Sequence, residues 1–162
     1  MGYKVLDVSR YIINFCNREE YLISNLKLQK LLYFVQAYYL GLSEEQKPCF
    51  EEDFEAWAFG PVVPEVYQEY RKYGSGNIPE IIEYIEYGDN FFDVKKVKYR
   101  ENIIDDKDKE QINSVIDMFA DYSATRLVEI SHRQSPWKDA YVEGMNNIIT
   151  KESIKEFFSK DE

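Results

Sequence analysis

The stretch SNLKLQKLLYFVQAYYL, residues 24–40, combines a helical pattern of apolar residues with a polar cluster near its start. Leu28 and Val35 fall on one side of a helix with 3.6 residues per turn, as do the leucines between them. Gln29 and Lys30 lie about 100° and 200° around the helix axis from Leu28, away from that stripe. The pattern predicts a core helix that Ser24 caps and Gly41 ends. Its polar residues either bind another part of the chain or form an exposed patch.

Six further helices are predicted from apolar periodicity, capping residues and proline positions. They cover residues 5–16, 64–73, a segment after Asp106 that includes residues 112–120, residues 123–130 with Ser123 as the cap, a segment that Ser135 caps and Pro136 begins, and a segment capped by Thr150. Residues 54–59 are expected to be extended or to form one helical turn, and residues 148–149 to be extended. Residues 1–162 are therefore predicted to form one domain, a compact and mainly α bundle of about six to seven helices.

Residues 81–104 have a different character. They mix tyrosine, phenylalanine, isoleucine and valine around Gly88-Asp89-Asn90. This composition is compatible with a small antiparallel β-hairpin or with a short helix followed by an irregular arm. The sequence leaves both alternatives open.

The composition is that of a folded globular protein, with 44% hydrophobic and 31% charged residues. The formal net charge of −10 repels phosphate backbones and argues against direct nucleic-acid binding. The same acidity would attract a basic protein partner, although it equally serves solubility. No run approaches the ~18 apolar residues of a membrane span, and the N-terminus lacks the apolar core of a secretory signal. A cytoplasmic protein is expected.

Sequence motifs for catalysis are scarce. The chain has no glycine-rich phosphate loop, no Gly-x-Ser-x-Gly elbow and no Cys-x-x-Cys pair. Cys16, Cys49 and His132 do not have the spacing of a zinc site, so no metal or cofactor is expected. His132 is expected to bond a nearby backbone carbonyl or carboxylate. A small hydrolase that pairs His132 with a carboxylate is a remote alternative.

Two groups of residues are candidates for contact with a protein partner. Tyr67 and Tyr70 lie on the helix that follows the Gly-Pro turn, and tyrosine is common in interfaces because its ring offers a large contact area. The alternative is that these rings fill the core between helices. Glu51, Glu52 and Asp53 belong to the densest acidic run, which is either a solvated loop or a contact for a basic partner.

Three motifs, in this order, resemble the Panacea domain, the SocA-like antitoxin family that also includes many phage-associated proteins. They are LKLQKLLYFVQAYYL at residues 26–40, FEAWAFGPVVPEVY at residues 54–67 and SHRQSPW at residues 131–137. The resemblance implies a compact, mainly helical domain that is not an enzyme and that neutralises a cognate toxin encoded in an adjacent gene. The matching positions are Leu28, Gln29, Lys30, Leu31, Trp57, Gly60, Pro61, Val62, His132, Pro136 and Trp137.

Several matched residues have an expected structural role. Gly60 lets the chain turn where a side chain would clash, and Pro61 fixes its own φ. Trp57 is expected to anchor this turn by burial. Truncation of Trp57 or Trp137 to alanine is then expected to abolish function by unfolding the domain, because a buried tryptophan typically contributes about 3–5 kcal/mol.

For Gln29 and Lys30 we favour an internal tie to the Gly60-Pro61 turn and to residues 131–137. The reason is that partners vary across the resembling family while this motif defines it. An exposed patch that faces a toxin remains the alternative. An alternative function is a prophage-encoded regulator that binds a host or transcription protein, which the acidic charge would also suit.

Overall fold

The computed structural model describes residues 2–90 and 92–159. These residues form seven α-helices and five β-strands, so the chain is mainly α as predicted. The helices are α1 Val5–Arg18, α2 Asn25–Ala37, α3 Pro64–Tyr70, α4 Asp106–Met118, α5 Ala124–His132, α6 Ser135–Ala140 and α7 Lys151–Ser159. The strands are β1 Phe54–Trp57, β2 Gly60–Val62, β3 Glu83–Tyr87, β4 Val94–Lys98 and β5 Ile148–Ile149.

Helix α2 lies at the centre of the fold, where it packs against α1, α3, α4, α5 and α7. The Ser24 hydroxyl accepts a hydrogen bond from the Lys27 N–H, which confirms the predicted cap. Every residue from Leu28 to Ala37 is buried, so both sides of the helix lie in the core. Because buried polar groups need hydrogen-bond partners, each polar side chain of α2 must find one inside the protein.

The C-terminal end of α2 widens into a π-helical turn, Tyr38–Leu42. Gly41 lies in this turn against α7, and a Cβ atom there would be 2.6 Å from Phe158 Cβ. Glycine therefore permits the close approach of α7 to the end of the central helix. The predicted stop at Gly41 thus coincides with a helix crossing.

A small antiparallel sheet with the order β2–β1–β5 lies beside α2. Trp57 pairs with Gly60, and Phe54 pairs with Ile149. Residues 54–57 are therefore extended and do not form the alternative helical turn. Residues 148–149 are extended, as predicted. The sheet places the Ala58-Phe59 turn at one end, next to the C-terminal part of α5.

Residues 83–87 and 94–98, strands β3 and β4, pair as a β-hairpin, which decides between the two alternatives for this region. Its base is attached to α1. The Asn14 amide donates to the Ile81 carbonyl at 3.0 Å and its oxygen accepts from the Ile81 N–H at 2.7 Å. The Arg10 guanidinium lies 3.5 Å from the centre of the Tyr84 ring. Beyond this base the hairpin is largely exposed.

Helix starts agree with the sequence in most places. Ser123 caps α5 through the Arg126 N–H, and the Thr150 hydroxyl accepts from the Ser153 N–H at the start of α7. The predicted cap at Ser135 is wrong, because Ser135 is already the first residue of α6 and no side-chain cap bond is formed. No helix in the described part of the chain is long and apolar enough to cross a membrane.

Candidate functional site

The three sequence motifs meet where α2, the β1–β2 turn and the α5–α6 junction come together. Lys30 is completely buried at this point, and its Nζ donates a hydrogen bond to the Pro61 carbonyl at 2.8 Å. The expected tie between Lys30 and the Gly60-Pro61 turn is confirmed. Burial lowers the pKa of Lys30 to about 7, because the charged ammonium loses its hydration there. The amine therefore titrates close to neutral pH.

Gln29 is also completely buried and joins α2 to the start of α3. Its Nε2 donates to Asn25 Oδ1, and its Oε1 accepts from the Val63 N–H, both at 2.9 Å. Asn25 in turn donates to the Tyr67 carbonyl at 3.1 Å. Gln29 thus satisfies a backbone N–H at the position before α3, where no side chain of the helix itself provides a cap.

Gly60 is required by the close packing of this junction. Its φ is +100°, a conformation that side chains strongly disfavour. A Cβ atom at Gly60 would also lie 2.8 Å from both Lys30 Cε and Ser131 Oγ. Ser131 is buried, and its hydroxyl donates to the Val128 carbonyl at 2.9 Å. Residues of all three motifs therefore meet around the missing side chain of Gly60.

His132 and Trp137 hold the β1–β2 turn from the other side. His132 Nε2 lies 3.0 Å from the Ala58 carbonyl, and Trp137 Nε1 donates to the Trp57 carbonyl at 2.8 Å. The two rings stack with centroids 4.0 Å apart. A carbonyl oxygen can only accept a hydrogen bond, so His132 must carry its proton on Nε2. This bond is the structural role expected for the imidazole.

The pKa of His132 is lowered, chiefly by burial and further by the nearby positive charge of Lys30, while its bond to Ala58 opposes the change. The imidazole is therefore neutral at pH 7. Within residues 2–90 and 92–159 no group of three or more histidine, cysteine, aspartate or glutamate side chains is arranged to hold a metal ion. Burial raises the pKa of the Cys16 thiol to about 12, and it also raises that of Cys49.

The two tryptophans are half-buried, so the expected anchoring of the turn by burial of Trp57 holds only in part. They belong to a partly exposed aromatic rim, which we define as Trp57, Phe59, Tyr67, Trp137 and Tyr141. Trp57 meets Tyr67 edge-on at 5.1 Å, and Trp137 stacks on Tyr141 at 4.6 Å. Phe59, at the tip of the turn, is 63% exposed. Trp137 binds the turn through its hydrogen bond to the Trp57 carbonyl, and both tryptophans remain partly exposed.

The candidate partner contacts differ in accessibility. Tyr70 is only 3% exposed and packs in the core, so its interpretation as a partner contact is wrong. Burial also raises the pKa of Tyr70. The neighbouring Tyr67 is half-buried in the aromatic rim and stays available. The sequence predicted both tyrosines on one helix. In the structure, the tertiary contacts of α3 bury Tyr70 and leave Tyr67 at the surface.

The acidic run at residues 51–53 is partly engaged within the chain. Glu52 is half-buried and accepts a hydrogen bond from the Val5 N–H at the start of α1. Lys151 Nζ donates to the Glu51 carbonyl at 2.6 Å and to the Asp53 carboxylate at 2.8 Å. Glu51 and Asp53 themselves are exposed. This segment therefore attaches the N-termini of α1 and α7, and two of its carboxylates also face solvent.

Sequence reasoning missed one buried polar residue of the same helix, Gln36. Its Oε1 accepts from the Cys49 N–H at 2.8 Å, and its Nε2 donates to the Phe50 carbonyl at 2.7 Å. Gln36 follows Gln29 by seven residues and lies between Val35 and Ala37. A glutamine flanked by apolar residues on a helix was the available signal for a buried amide that binds the backbone of another segment.

Comparison with known proteins identifies the family. The family model described as antitoxin SocA-like, Panacea domain, matches residues 28–138, a range that contains most of all three motifs. The curated protein Antitoxin SocA from Caulobacter vibrioides (strain NA1000 / CB15N) is 36% identical over 121 residues. The matched region is 71% of this chain but only 58% of that relative, which therefore extends well beyond the shared part. No solved structure matches the chain.

The family match and the geometry concern the same part of the molecule. The matched range includes Lys30, Gly60 and His132, and these residues lie together around the β1–β2 turn. The chain belongs to the SocA-like antitoxin family and carries its Panacea domain.

Proposed function

We propose that this protein is the antitoxin of a toxin–antitoxin pair and neutralises a protein toxin encoded in an adjacent gene by binding it directly. The observation that carries the proposal is the match of residues 28–138 to the SocA-like antitoxin family. The relative that shares 36% identity is itself named an antitoxin. The chain would act in the cytoplasm as a single domain without a cofactor, and its net charge of −10 suits a basic partner.

The chemistry of His132 and of the two cysteines favours binding over catalysis. Nε2 of His132 is engaged by a backbone carbonyl, and the ring is stacked on Trp137. Both thiols are buried, and their raised pKa values keep them protonated and poorly nucleophilic. A hydrolase would need an activated nucleophile within reach of its base. These contacts support the interpretation of His132 as a residue that holds the β1–β2 turn.

Within this proposal the matched residues divide into two groups. Gln29, Lys30 and Gly60 are buried and serve as a scaffold that holds the turn in place. The aromatic rim presents accessible rings around the same turn, and Phe59 is its most exposed member. Exposed aromatic side chains supply much of the binding energy in protein interfaces. Neutralisation would then proceed by covering the toxin's active surface or by holding the toxin for a protease.

Coexpression with the product of the adjacent gene tests the proposal. The neighbour alone should stop growth, and coexpression of this chain should restore growth and yield a complex that copurifies. A chain that carries Gly60→Ala should lose protection in proportion to its loss of stability, because Gly60 is assigned to the scaffold. A harmless neighbour, or one that remains lethal and unbound, would refute the antitoxin function and favour the alternative of a phage-associated regulator.

A further inference from the structure

The outer edge of β3 has no strand partner within the described residues, because β4 pairs with β3 on one side only. Two backbone bonds define the pairing pattern: Tyr99 N–H donates to the Ile82 carbonyl, and Gly88 N–H donates to the Asp93 carbonyl. In an antiparallel pair, hydrogen-bonded and non-hydrogen-bonded positions alternate. The N–H and C=O groups of residues 83, 85 and 87 therefore point away from β4, along the outer edge.

A groove of about 320 Å³ lies beside this edge. Four of the five β3 residues line it, from both faces of the strand, whereas no β4 residue does. The opposite wall is formed by α3 and the short 3₁₀ turn Arg71–Tyr73 that follows it. Because both faces of β3 contribute, the groove runs along the edge itself, where the backbone groups of residues 83, 85 and 87 are directed.

The side chains of this groove are suited to an extended protein segment. The accessible apolar surface consists of Tyr73, Tyr84 and Tyr87 with Ile81 and Ile85. Tyr70, which is buried, lies behind this surface. Ile85 is 39% exposed and Tyr87 is 72% exposed. Such exposure on a strand with a free edge is typical of sites that bind another strand.

The two edges of the hairpin differ in charge. Lys95, Lys96 and Lys98 lie on β4, and lysines on an edge strand discourage pairing with other chains. Strand β3 carries glutamates instead. Glu83 of β3 and Glu69 of α3 both line the groove, and Lys72 is the only basic side chain among the lining residues. Across the ladder, Glu83 pairs with Lys98 and also contacts Lys96 at 3.3 Å. A basic segment on the outer side would make equivalent pairs.

We propose that the outer edge of β3 binds an extended, lysine- or arginine-containing segment of the toxin, which adds to the hairpin as a third strand. The proposal rests on the antitoxin function proposed above. Backbone groups at residues 83, 85 and 87 provide the hydrogen bonds, and the tyrosines of the groove receive alternate apolar side chains. The hairpin is thereby assigned a role in partner recognition that is separate from the scaffold at Lys30 and Gly60.

Two proline substitutions at directly opposite positions test the proposal. Ile85 and Lys96 face each other in the ladder, and each directs its N–H outward, one to the β3 edge and the other to the β4 edge. Proline at either position removes only an outward N–H and is tolerated best at an edge. The affinity for the purified adjacent-gene product is measured by calorimetry. Ile85→Pro should weaken binding at least tenfold, whereas Lys96→Pro should change it less than twofold.

Hydrogen exchange on the unmodified complex provides a measurement that does not depend on the folding of any variant. Toxin binding should slow exchange of the amides of residues 83, 85 and 87, and not those of residues 94, 96 and 98. Unchanged exchange at β3, or an affinity equally reduced by both prolines, would overturn the edge proposal while leaving the antitoxin function in place. Absence of binding by the unmodified chain would overturn both proposals.

Discussion

Replacement of Lys30 by methionine gives a stringent test of the buried junction. Methionine retains the length of the side chain and removes the amine. The pKa of Lys30 is lowered to about 7 from 10.5, so between these pH values the unfolded chain binds more protons than the folded chain. The contribution of Lys30 to the stability of the unmodified protein therefore rises with pH across this interval. Below about pH 7 both states are protonated and the destabilisation by the buried charge is complete.

The magnitude follows from the two pKa values. At about 1.4 kcal/mol for each tenfold difference in proton affinity, the complete effect of the lowered pKa is about 5 kcal/mol. Most of it, about 3 kcal/mol, is recovered between pH 7 and pH 10. Methionine also leaves the Pro61 carbonyl without its hydrogen bond, at a cost of about 1–3 kcal/mol that does not vary with pH. Lys30→Met should therefore be more stable than the unmodified chain at pH 7 and less stable at pH 10.

Urea denaturation followed by tryptophan fluorescence between pH 6 and pH 10 measures both free energies of unfolding. The tyrosines with raised pKa values affect the two proteins alike, so they cancel in the difference between them. Lys155→Met, at an exposed position of α7, is the matched control and should give a difference independent of pH. A Lys30→Met difference that is equally flat would refute the interpretation of Lys30 as a buried amine without a compensating carboxylate.

Three further substitutions test the packing. In chemical denaturation, Gly60→Ala should lower the free energy of unfolding by about 1–3 kcal/mol more than Gly74→Ala does. Both glycines have positive φ, but of the two only Gly60 has atoms within 4 Å of the added methyl group. Equal losses for the two variants would refute the clash. Gln36→Leu removes the side-chain partner of three buried backbone groups and should lower the free energy of unfolding by about 2–5 kcal/mol. The exposed Gln68→Leu should change it little. Trp57→Ala should lower the free energy of unfolding by only about 1–2 kcal/mol in thermal unfolding, because the ring is half-buried. A loss near the ~3–5 kcal/mol of a fully buried tryptophan would contradict this prediction.

The contacts around Lys30 explain how the motif accommodates a lysine in the core. Lys30 reaches the Pro61 carbonyl only because Gly60 has no side chain, and Gln29 holds the adjacent Val63 N–H. A buried polar group with a specific partner costs stability but selects one arrangement of the segments that it joins. We infer that Gln29 and Lys30 align the β1–β2 turn on α2, and that this alignment also fixes the position of the aromatic rim.

Local sequence determined the helices, because the period of apolar residues and the capping chemistry act within a few residues. Ser24, Ser123 and Thr150 cap helices where their positions predict it, and the family motifs are recognisable without coordinates. Burial, in contrast, depends on segments that are 30 to 100 residues apart, as in the contacts of Lys30 with Pro61 and Trp137 with Trp57. Periodicity describes one side of a helix and says nothing about what packs on the other.

The tertiary structure therefore decided the features on which the proposals depend. It placed Gln29 and Lys30 in the core, turned Tyr70 inward while leaving Tyr67 accessible, and left Trp57 half-buried. It also showed that β3 and β4 form a hairpin in which the outer edge of β3 carries glutamates and the outer edge of β4 carries lysines. The sequence alone could not distinguish these outcomes, because the same tyrosine or lysine is stable in the core or at the surface according to the partners that distant segments bring to it.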